Sequence, residues 1–387
     1  MLNSNSVLRA IAFYLPQYHP IPENDAWWGK GFTEWRNVTK AEPLFSGHYQ
    51  PHLPADLGFY DLRLPEARQS QVELAKAYGI HGFCYYHYWF NGKRLLERPF
   101  NDVLASGEPD FPFCLCWANE NWTRRWDGLE EEVLIGQDYK EDNDRIHMQW
   151  LVNAFRDPRY IRIDNKPLFL VYRAAKLPNL LKTAETWRQE AHRLGIGDIF
   201  LCMVESFANE HNDPNSVGFD ATIEFQPDWT QLGSSLQRGR RWNLARKLKI
   251  SEKAYIKNKV YEYTDVVERM LAKPTVNYKR FPCVTPSWDN TSRRQNGNAT
   301  IFRNATPDFY EHWLGEVIKR ELSNPSSDRI IFINAWNEWA EGNHLEPCQK
   351  WGHAYLEATC RALLSASEET CWKQINHEIR TSPVPNN

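Results

Sequence analysis

Ile330-Ile331-Phe332-Ile333-Asn334-Ala335-Trp336-Asn337-Glu338-Trp339-Ala340-Glu341 joins a short apolar run to a polar, aromatic cluster. The apolar run predicts a buried strand over residues 329–335, and the cluster is typical of a strand whose carboxyl end opens into an active site. Glu338 and Glu341 lie three residues apart. Paired carboxylates can serve as acid and base on a sugar, and indole faces stack on sugar rings. The alternative is an irregular helix start with acids favoured by the helix dipole.

Seven further apolar runs precede similar clusters, and we predict strands at 8–15, 81–88, 111–117, 167–172, 199–204, 221–225 and 282–286. Amphipathic segments at 64–78, 142–155, 180–194, 263–271, 307–322 and 351–364 predict helices between them. This alternation favours an α/β fold, a single (β/α)8 TIM barrel over residues 1–387, with long loop insertions after strands 1, 3 and 6 (19–63, 120–141 and 228–269). A doubly wound sheet also alternates, but no Gly-x-Gly-x-x-Gly follows a strand.

The composition limits which classes of function fit this chain. The 387 residues carry a formal net charge of −3, which does not favour nucleic acid as a partner. No apolar run reaches the roughly 20 residues of a transmembrane segment, and the start lacks a secretory signal, so we expect a cytoplasmic protein. The eight cysteines lack zinc-like spacing and are expected to be reduced thiols. Seventeen Trp and seventeen Tyr, many beside polar residues, indicate a carbohydrate site or a large interface.

Candidate substrate-binding residues follow the predicted strands and lie in the first insertion, and we expect those at the strand ends to surround one mouth. They are Tyr14, Gln17, Tyr18, His19, Trp35, Tyr85, His87, Tyr88, Trp89, Trp117, Asn119, Glu120, Trp122, Glu224, Gln226, Trp288, Asp289, Asn334, Trp336, Asn337 and His344. The candidate catalytic residues are Glu338 and Glu341.

Two other features have competing explanations. Asp142-Asn143-Asp144 could hold a divalent ion but is better explained as a helix N-cap with dipole-favoured acids. The histidines lack metal-site spacing, and we expect no metal and no cofactor. The basic stretch 238–259 could be a solvated helix face, or an anion site for a phosphorylated, lipid-linked or acidic glycan or a membrane surface.

Five motifs carry a family resemblance. They are Phe13-Tyr14-Leu15-Pro16-Gln17-Tyr18-His19-Pro20, Trp27-Trp28-Gly29-Lys30-Gly31-Phe32-Thr33-Glu34-Trp35, Gly82-Phe83-Cys84-Tyr85-Tyr86-His87-Tyr88-Trp89-Phe90, Trp117-Ala118-Asn119-Glu120-Asn121-Trp122 and Asn334-Ala335-Trp336-Asn337-Glu338-Trp339-Ala340-Glu341-Gly342. With them the chain resembles the WbsX-type glycosyltransferases, a group similar to glycoside hydrolase family 99. The resemblance covers nearly the whole chain and implies a (β/α)8 barrel.

The resemblance also implies a mechanism. Family 99 hydrolases are retaining enzymes acting inside mannose-containing glycans, with two carboxylates three residues apart after a barrel strand. The first is thought to be a base on the sugar 2-hydroxyl, which attacks the anomeric carbon to give an anhydro sugar. The second is the general acid. Carried onto this chain, Glu338 would be the base and Glu341 the acid/base, with no enzyme nucleophile.

Three functions stay open from the sequence. The first is an enzyme that cleaves or transfers glycosidic bonds of a polysaccharide or its precursor, a glycan that could be anionic or lipid-linked. The others are a nucleotide-sugar-dependent glycosyltransferase of surface polysaccharide biosynthesis and a non-catalytic glycan-binding barrel. For the enzyme we expect a raised pKa for Glu341 and an ionised Glu338, hydrogen-bonded by Asn334, Asn337 or Tyr14.

Overall fold

The structure, a computed structural model, describes residues 8–124, 129–237, 253–294, 297–324 and 328–365. Its centre is a closed barrel of eight parallel strands. We label them β1 (Arg9–Tyr14), β2 (Gly82–Phe90), β3 (Phe113–Trp117), β4 (Lys166–Val171), β5 (Phe200–Glu205), β6 (Ala221–Glu224), β7 (Arg280–Val284) and β8 (Ile330–Ile333). Each strand pairs with the next in the chain, and β1 also pairs with β8 to close the barrel.

The barrel strands read as apolar runs because both of their faces are buried. All four residues of β8 are fully buried, as are Leu168–Val171 of β4. Inside the barrel, the Phe13 ring contacts the rings of Phe225 and Phe332, with centroids 5.1 and 5.6 Å apart. Because β1 and β6 are not neighbours in the sheet, the contact between Phe13 and Phe225 crosses the interior. The eight-stranded barrel predicted from the sequence is confirmed.

Helices connect the strands and pack around the barrel. They span Pro22–Trp28, Trp35–Lys40, Pro65–Ala77, Arg98–Ser106, Glu141–Phe155, Leu180–Arg193, Lys253–Lys257, Tyr263–Leu271, Pro307–Ser323 and 354–365. Side-chain caps fix two of the predicted helix starts: Asn179 accepts from the Lys182 N–H at 3.0 Å, and Thr306 accepts from the Phe309 N–H at 3.5 Å. The helix Arg98–Ser106 and the two short helices before residue 41 are additional to those predicted.

Short elements lie outside the eight barrel strands. A hairpin, Trp122–Arg124 with Leu129–Ile135, follows β3, and Lys259–Glu262 pairs with Thr300–Arg303 beside β7. Further two- or three-residue strands lie at Lys93–Leu95, Arg162–Ile163, Asn337–Glu338 and Asn343–His344. Single 3₁₀ turns span Ala174–Lys176, Pro214–Val217, Asn290–Arg293 and Trp339–Glu341.

Two other sequence expectations can be compared with the structure. Seven cysteines are free thiols, six of them buried, while Cys371 lies outside the described residues. Among the helices that the structure describes, none is both long and apolar enough to cross a bilayer.

Candidate active site

Glu338 and Glu341 lie in a tight turn after β8, at the carboxyl end of the barrel. Asn337–Glu338 pairs with Asn343–His344, and the 3₁₀ turn Trp339–Glu341 connects the two short strands. Gly342 ends that turn with φ of 56°, a left-handed conformation that glycine adopts without steric cost. A Cβ at this position would lie 2.9 Å from the Cβ of Asp289, so the turn packs closely against the loop after β7.

The amide of Asn337 anchors this turn to the loop after β1. Its Oδ1 accepts from the Leu15 N–H at 2.7 Å, and its Nδ2 donates to the Leu15 carbonyl at 3.0 Å. The Tyr18 hydroxyl donates to the Asn337 carbonyl at 2.8 Å and accepts from the Trp339 N–H at 3.2 Å. Since these groups are buried, each bond also avoids the cost of an unpaired polar group.

Beneath the turn, a buried carboxyl holds Trp339. Glu346 accepts from the Trp339 indole N–H and the Gln71 amide, both at 2.6 Å, and from the Tyr60 hydroxyl at 2.8 Å. Burial raises the pKa of Glu346 to about 7, while these hydrogen bonds act to lower it. Sequence reasoning did not single out Glu346.

Both glutamates line one cavity of about 240 Å³ at the barrel mouth. Its walls are largely aromatic, which suits the apolar faces of sugar rings. The lining residues are Gln17, Trp28, Tyr86, Tyr88, Ala118, Glu120, Asn121, Trp122, Thr123, Leu134, Tyr172, Phe225, Trp288, Arg293, Asn334, Glu338 and Glu341.

Arg293 connects the two glutamates. It ends the 3₁₀ turn Asn290–Arg293 after β7, which starts where Asp289 Oδ1 accepts from the Thr291 N–H at 3.0 Å. Arg293 Nη1 lies 2.7 Å from Glu341 Oε1, and Nη2 lies 3.2 Å from Glu338 Oε2. Arg293 is not among the site residues predicted from the sequence.

The protonation state expected for Glu338 is wrong. Burial raises the pKa of Glu338 to about 8, Arg293 lowers it, and Glu341 and Glu34 raise it, so the group is largely protonated at neutral pH. The expected hydrogen-bond donors are engaged elsewhere. Asn334 donates to the Gln226 carbonyl at 2.7 Å, Asn337 to Leu15, and Tyr14 to Gln71 at 2.7 Å.

The structure brings eight of the sequence-selected residues to the cavity. Beside the two glutamates these are Gln17, Tyr88, Glu120, Trp122, Trp288 and Asn334. Within the group, the Gln17 amide donates to the Tyr88 hydroxyl at 3.3 Å, and Glu120 forms an ion pair with Arg173 at 2.7 Å.

On β2 the expectation of one shared mouth is wrong for Tyr85, His87 and Trp89. Side chains alternate along a strand, and Tyr86 and Tyr88 face the cavity, so Tyr85, His87 and Trp89 face outward. His87 stacks on Trp150 of the helix Glu141–Phe155, with centroids 4.7 Å apart. Burial lowers the pKa of His87 to about 3, which leaves it neutral. The cavity-facing Tyr86 was missed.

The same alternation removes Tyr14, Trp117 and Glu224 from the mouth. Tyr14 bonds to Gln71 on a surrounding helix, and the Trp117 indole donates to the Trp89 carbonyl at 3.1 Å. Glu224 forms an ion pair with Lys273 at 2.8 Å, outside the barrel. An alternating strand with large residues on both faces does not reveal which face is the inner one.

Most of the remaining candidates support the loops without lining the cavity. Asn119 bonds to the Arg173 backbone, and Gln226 accepts from the Asp228 N–H. The Trp35 indole donates to the Tyr60 carbonyl, and Trp336 packs on Phe83. Tyr18 and Asn337 anchor the β8 turn, and His19 is buried. Asp289 and His344 line a second, smaller cavity, where His48 Nε2 lies 2.6 Å from Asp289 Oδ2 and His344 stacks on Trp339.

The acidic triplet 142–144, the histidines and the basic stretch 238–259 can also be compared with the structure. Asp142, Asn143 and Asp144 lie inside the first turn of the helix Glu141–Phe155, whose N-cap is Lys140, so the N-cap explanation is wrong although the dipole argument applies. No group of three or more His, Cys, Asp or Glu side chains could hold a metal within the part of the chain that the structure describes. Residues 238–252 of the basic stretch lie outside the described residues.

A (β/α)8 barrel with paired carboxylates in an aromatic cavity at the carboxyl ends of its strands is typical of carbohydrate-active enzymes. The family model for the glycosyltransferase WbsX matches residues 10–359, and the chain belongs to this family.

One similar protein matches most of this chain. A protein named WxcX and described as uncharacterized, from two strains of Xanthomonas campestris pv. campestris, is 46% identical over 359 residues. The match covers 92% of this chain and 50% of the relative, so the chain spans about half the length of these relatives.

Solved structures share the fold. The GH99 endo-alpha-mannosidase from Bacteroides thetaiotaomicron aligns with a TM-score of 0.57 at 15% identity, over 94% of this chain and 98% of the other. A glycoside hydrolase-like protein aligns with a TM-score of 0.57 at 16% identity, over 94% and 96% of the two chains.

Proposed function

We propose that this protein cleaves or transfers glycosidic bonds with retention of configuration, using Glu338 and Glu341. The observation that carries the proposal is that both carboxyl groups line one aromatic cavity at the barrel mouth and contact the same arginine. A glycan-binding barrel would need the aromatic walls but gains nothing from two carboxyl groups held together out of water, a costly arrangement.

Two amide oxygens support a hydroxyl-rich ligand. Gln17 Oε1 and Asn334 Oδ1 are buried without a hydrogen-bond partner in the described part of the chain, and both residues line the cavity. An unpaired buried acceptor costs about 1–3 kcal/mol, which a sugar hydroxyl donating to it would offset.

The chemistry proposed follows the family 99 scheme. Glu338 takes the proton of the sugar 2-hydroxyl, whose oxygen attacks the anomeric carbon as the bond to the leaving oxygen breaks. Glu341 gives a proton to that leaving oxygen. It then takes a proton from water or a sugar acceptor, whose oxygen opens the anhydro ring while O2 recovers its proton from Glu338. Two inversions give retention.

The raised pKa of Glu338 gives its two conceivable roles opposite pH dependences. Glu338 ionises only as pH rises through about 8, so a base at this position predicts kcat/KM rising through that pH. If Glu338 were the acid, kcat/KM would fall through the same range. The direction of this limb in the wild-type enzyme tests the assignment.

The substrate class proposed is an α-linked glycan of a surface polysaccharide or its lipid-linked precursor, handled in the cytoplasm. α-Mannosides are the first class to test because a structurally similar protein is described as an endo-alpha-mannosidase. Fluoride release from a panel of α-glycosyl and α-diglycosyl fluorides, mannosyl compounds first, measures the first step directly.

Fluoride leaves without needing a proton, so glycosyl fluorides distinguish the role of Glu338 from that of Glu341. E338Q should lose turnover of fluorides and of alkyl glycosides about 10²-fold or more. E341Q should lose alkyl glycosides equally but keep a first-turnover burst of fluoride release. E73Q changes an exposed helix residue and is the control. Wild-type activity in both glutamine variants would refute the catalytic assignment, and oligosaccharide binding without turnover in the wild type would favour the binding barrel.

A nucleotide-sugar donor is the second candidate, because the family description names a glycosyltransferase. Isothermal calorimetry with common nucleotide sugars tests it, and binding that competes with the mannosyl fluorides would support this donor. Absence of heat with each of them would reject it.

A further inference from the structure

Three loops meet in a buried charge cluster beside the candidate catalytic carboxyl groups. Arg293 comes from the loop after β7, Glu338 and Glu341 from the loop after β8, and Glu34 from the loop after β1. Glu34 Oε2 accepts from Arg293 Nη2 at 2.8 Å and from Nε at 3.0 Å. The side chains of Glu34, Glu338, Arg293 and Glu341 are 0, 7, 15 and 20% exposed.

The contacts that Arg293 makes with the three carboxyl groups differ in number and in length. Glu34 receives two N–H groups from the guanidinium, Glu341 lies at 2.7 Å, and Glu338 has the longest contact at 3.2 Å. Within the described part of the chain, the guanidinium of Arg293 contacts all three carboxyl groups, and its one positive charge does not compensate three negative charges. The carboxyl group with the weakest contact is the one that gains most from binding a proton.

Glu34 does not line the cavity, so it acts through Arg293. It starts the helix Trp35–Lys40, and the Asn37 amide donates to its Oε1 at 3.2 Å. Because its side chain is fully buried and tied at both oxygens, Glu34 fixes the plane of the guanidinium. The guanidinium in turn fixes the separation of Glu338 from Glu341.

We propose that Arg293 and Glu34 form a positioning pair that holds the two candidate catalytic carboxyl groups and makes Glu338 the one that carries the proton in the free protein. The catalytic meaning of this pair rests on the proposed function. The arrangement of charges in the cluster can be tested without a substrate. No catalytic contact is assigned to Glu34.

The other titratable groups that face Glu338 are tyrosines. Tyr18 lies in the loop after β1, and Tyr86 and Tyr88 lie on β2. Burial raises the pKa of all three above the usual value of 10, so they are neutral between pH 5 and 9. Among the described residues, the charged groups that act on Glu338 are Arg293, Glu341 and Glu34.

The experiment uses melting temperatures to determine the pH at which Glu338 ionises. The difference in melting temperature between E338Q and its parent, followed from pH 4.5 to 9.5, grows with pH above the pKa of the unfolded chain and levels off once the folded protein has lost the Glu338 proton. The slope of this difference falls to half its largest value where Glu338 of the folded protein is half ionised, and we call this pH the midpoint. We expect the midpoint in the E34Q background to fall by about one pH unit or more, because a negative charge is removed and Arg293 is shared by fewer partners. In the R293M background the midpoint should rise by a similar amount, because the cation is lost. R293K should lie between R293M and the wild type.

A residue that only supports the loop would lower the melting temperature at every pH without moving the midpoint. Equal midpoints in the wild-type, E34Q and R293K backgrounds would overturn the proposal, and E34Q with R293K decides the matter if R293M does not fold. Failure of every glycosyl fluoride would defeat the proposed function while leaving these midpoints unaffected. With an active substrate, the Glu338 limb of kcat/KM should move to lower pH in E34Q.

Discussion

Replacing Glu338 by glutamine should stabilise the protein at alkaline pH. The pKa of Glu338 is raised by burial from 4.5 to about 8, so the folded protein binds the proton more tightly than the unfolded chain. The stability that depends on this proton is fully present below pH 4.5, declines as pH rises and is lost above about pH 8. Glutamine mimics the neutral carboxyl group at every pH and avoids this loss.

The magnitude follows from the pKa difference. A rise from 4.5 to about 8 corresponds, at about 1.4 kcal/mol per pH unit, to about 5 kcal/mol of stability. With an unfolding entropy of about 2.1 cal/mol/K per residue, the 387-residue chain changes by about 0.8 kcal/mol per degree. E338Q should therefore melt about 6 °C above the wild type at pH 9 and close to it at pH 4.5.

Differential scanning calorimetry of both proteins across this pH range provides the test. Glu346 and Glu321 also have pKa values raised to about 7, but they are present in both proteins and cancel in the difference. E73Q, on an exposed helix face, should show no pH-dependent difference. A difference between E338Q and wild type that stays constant from pH 4.5 to 9 would refute the reasoning.

Three further outcomes are expected. Gly342→Ala should lower the melting temperature more than Gly47→Ala, because both positions have positive φ but only Gly342 meets a neighbouring atom, the Cβ of Asp289 at 2.9 Å. Trp122→Ala should raise KM for an oligosaccharide about tenfold with little change in melting temperature, since this half-buried ring forms a cavity wall. Asn337→Ala should destabilise by about 2–4 kcal/mol in denaturant titration, because the buried Leu15 N–H and carbonyl both lose a partner.

The strands could be predicted because a closed parallel barrel buries them on both faces. Runs such as Ile330–Ile333 have no polar alternation to confuse with a half-exposed strand, and their abrupt polar ends mark the functional rim. Because the strands are buried on both faces, however, the sequence does not show which face of a strand points into the barrel. On β2, Tyr86 and Tyr88 face the cavity while Tyr85 and His87 face the helices, although all four are large and aromatic.

The sequence by itself determined the barrel and the family and made Glu338 and Glu341 the candidate catalytic pair, because these depend on local patterns and short spacings. Only the tertiary structure decided which aromatic residues form the cavity and how burial and Arg293 shift the pKa of Glu338. Arg293 lies 45 residues before Glu338 in the chain, and Glu34 lies 259 residues before Arg293. Nothing local to Ser292-Arg293-Arg294 distinguishes this arginine from a surface residue. Its effect depends on distance and burial, which exist only after the loops following β1, β7 and β8 have met at the barrel mouth.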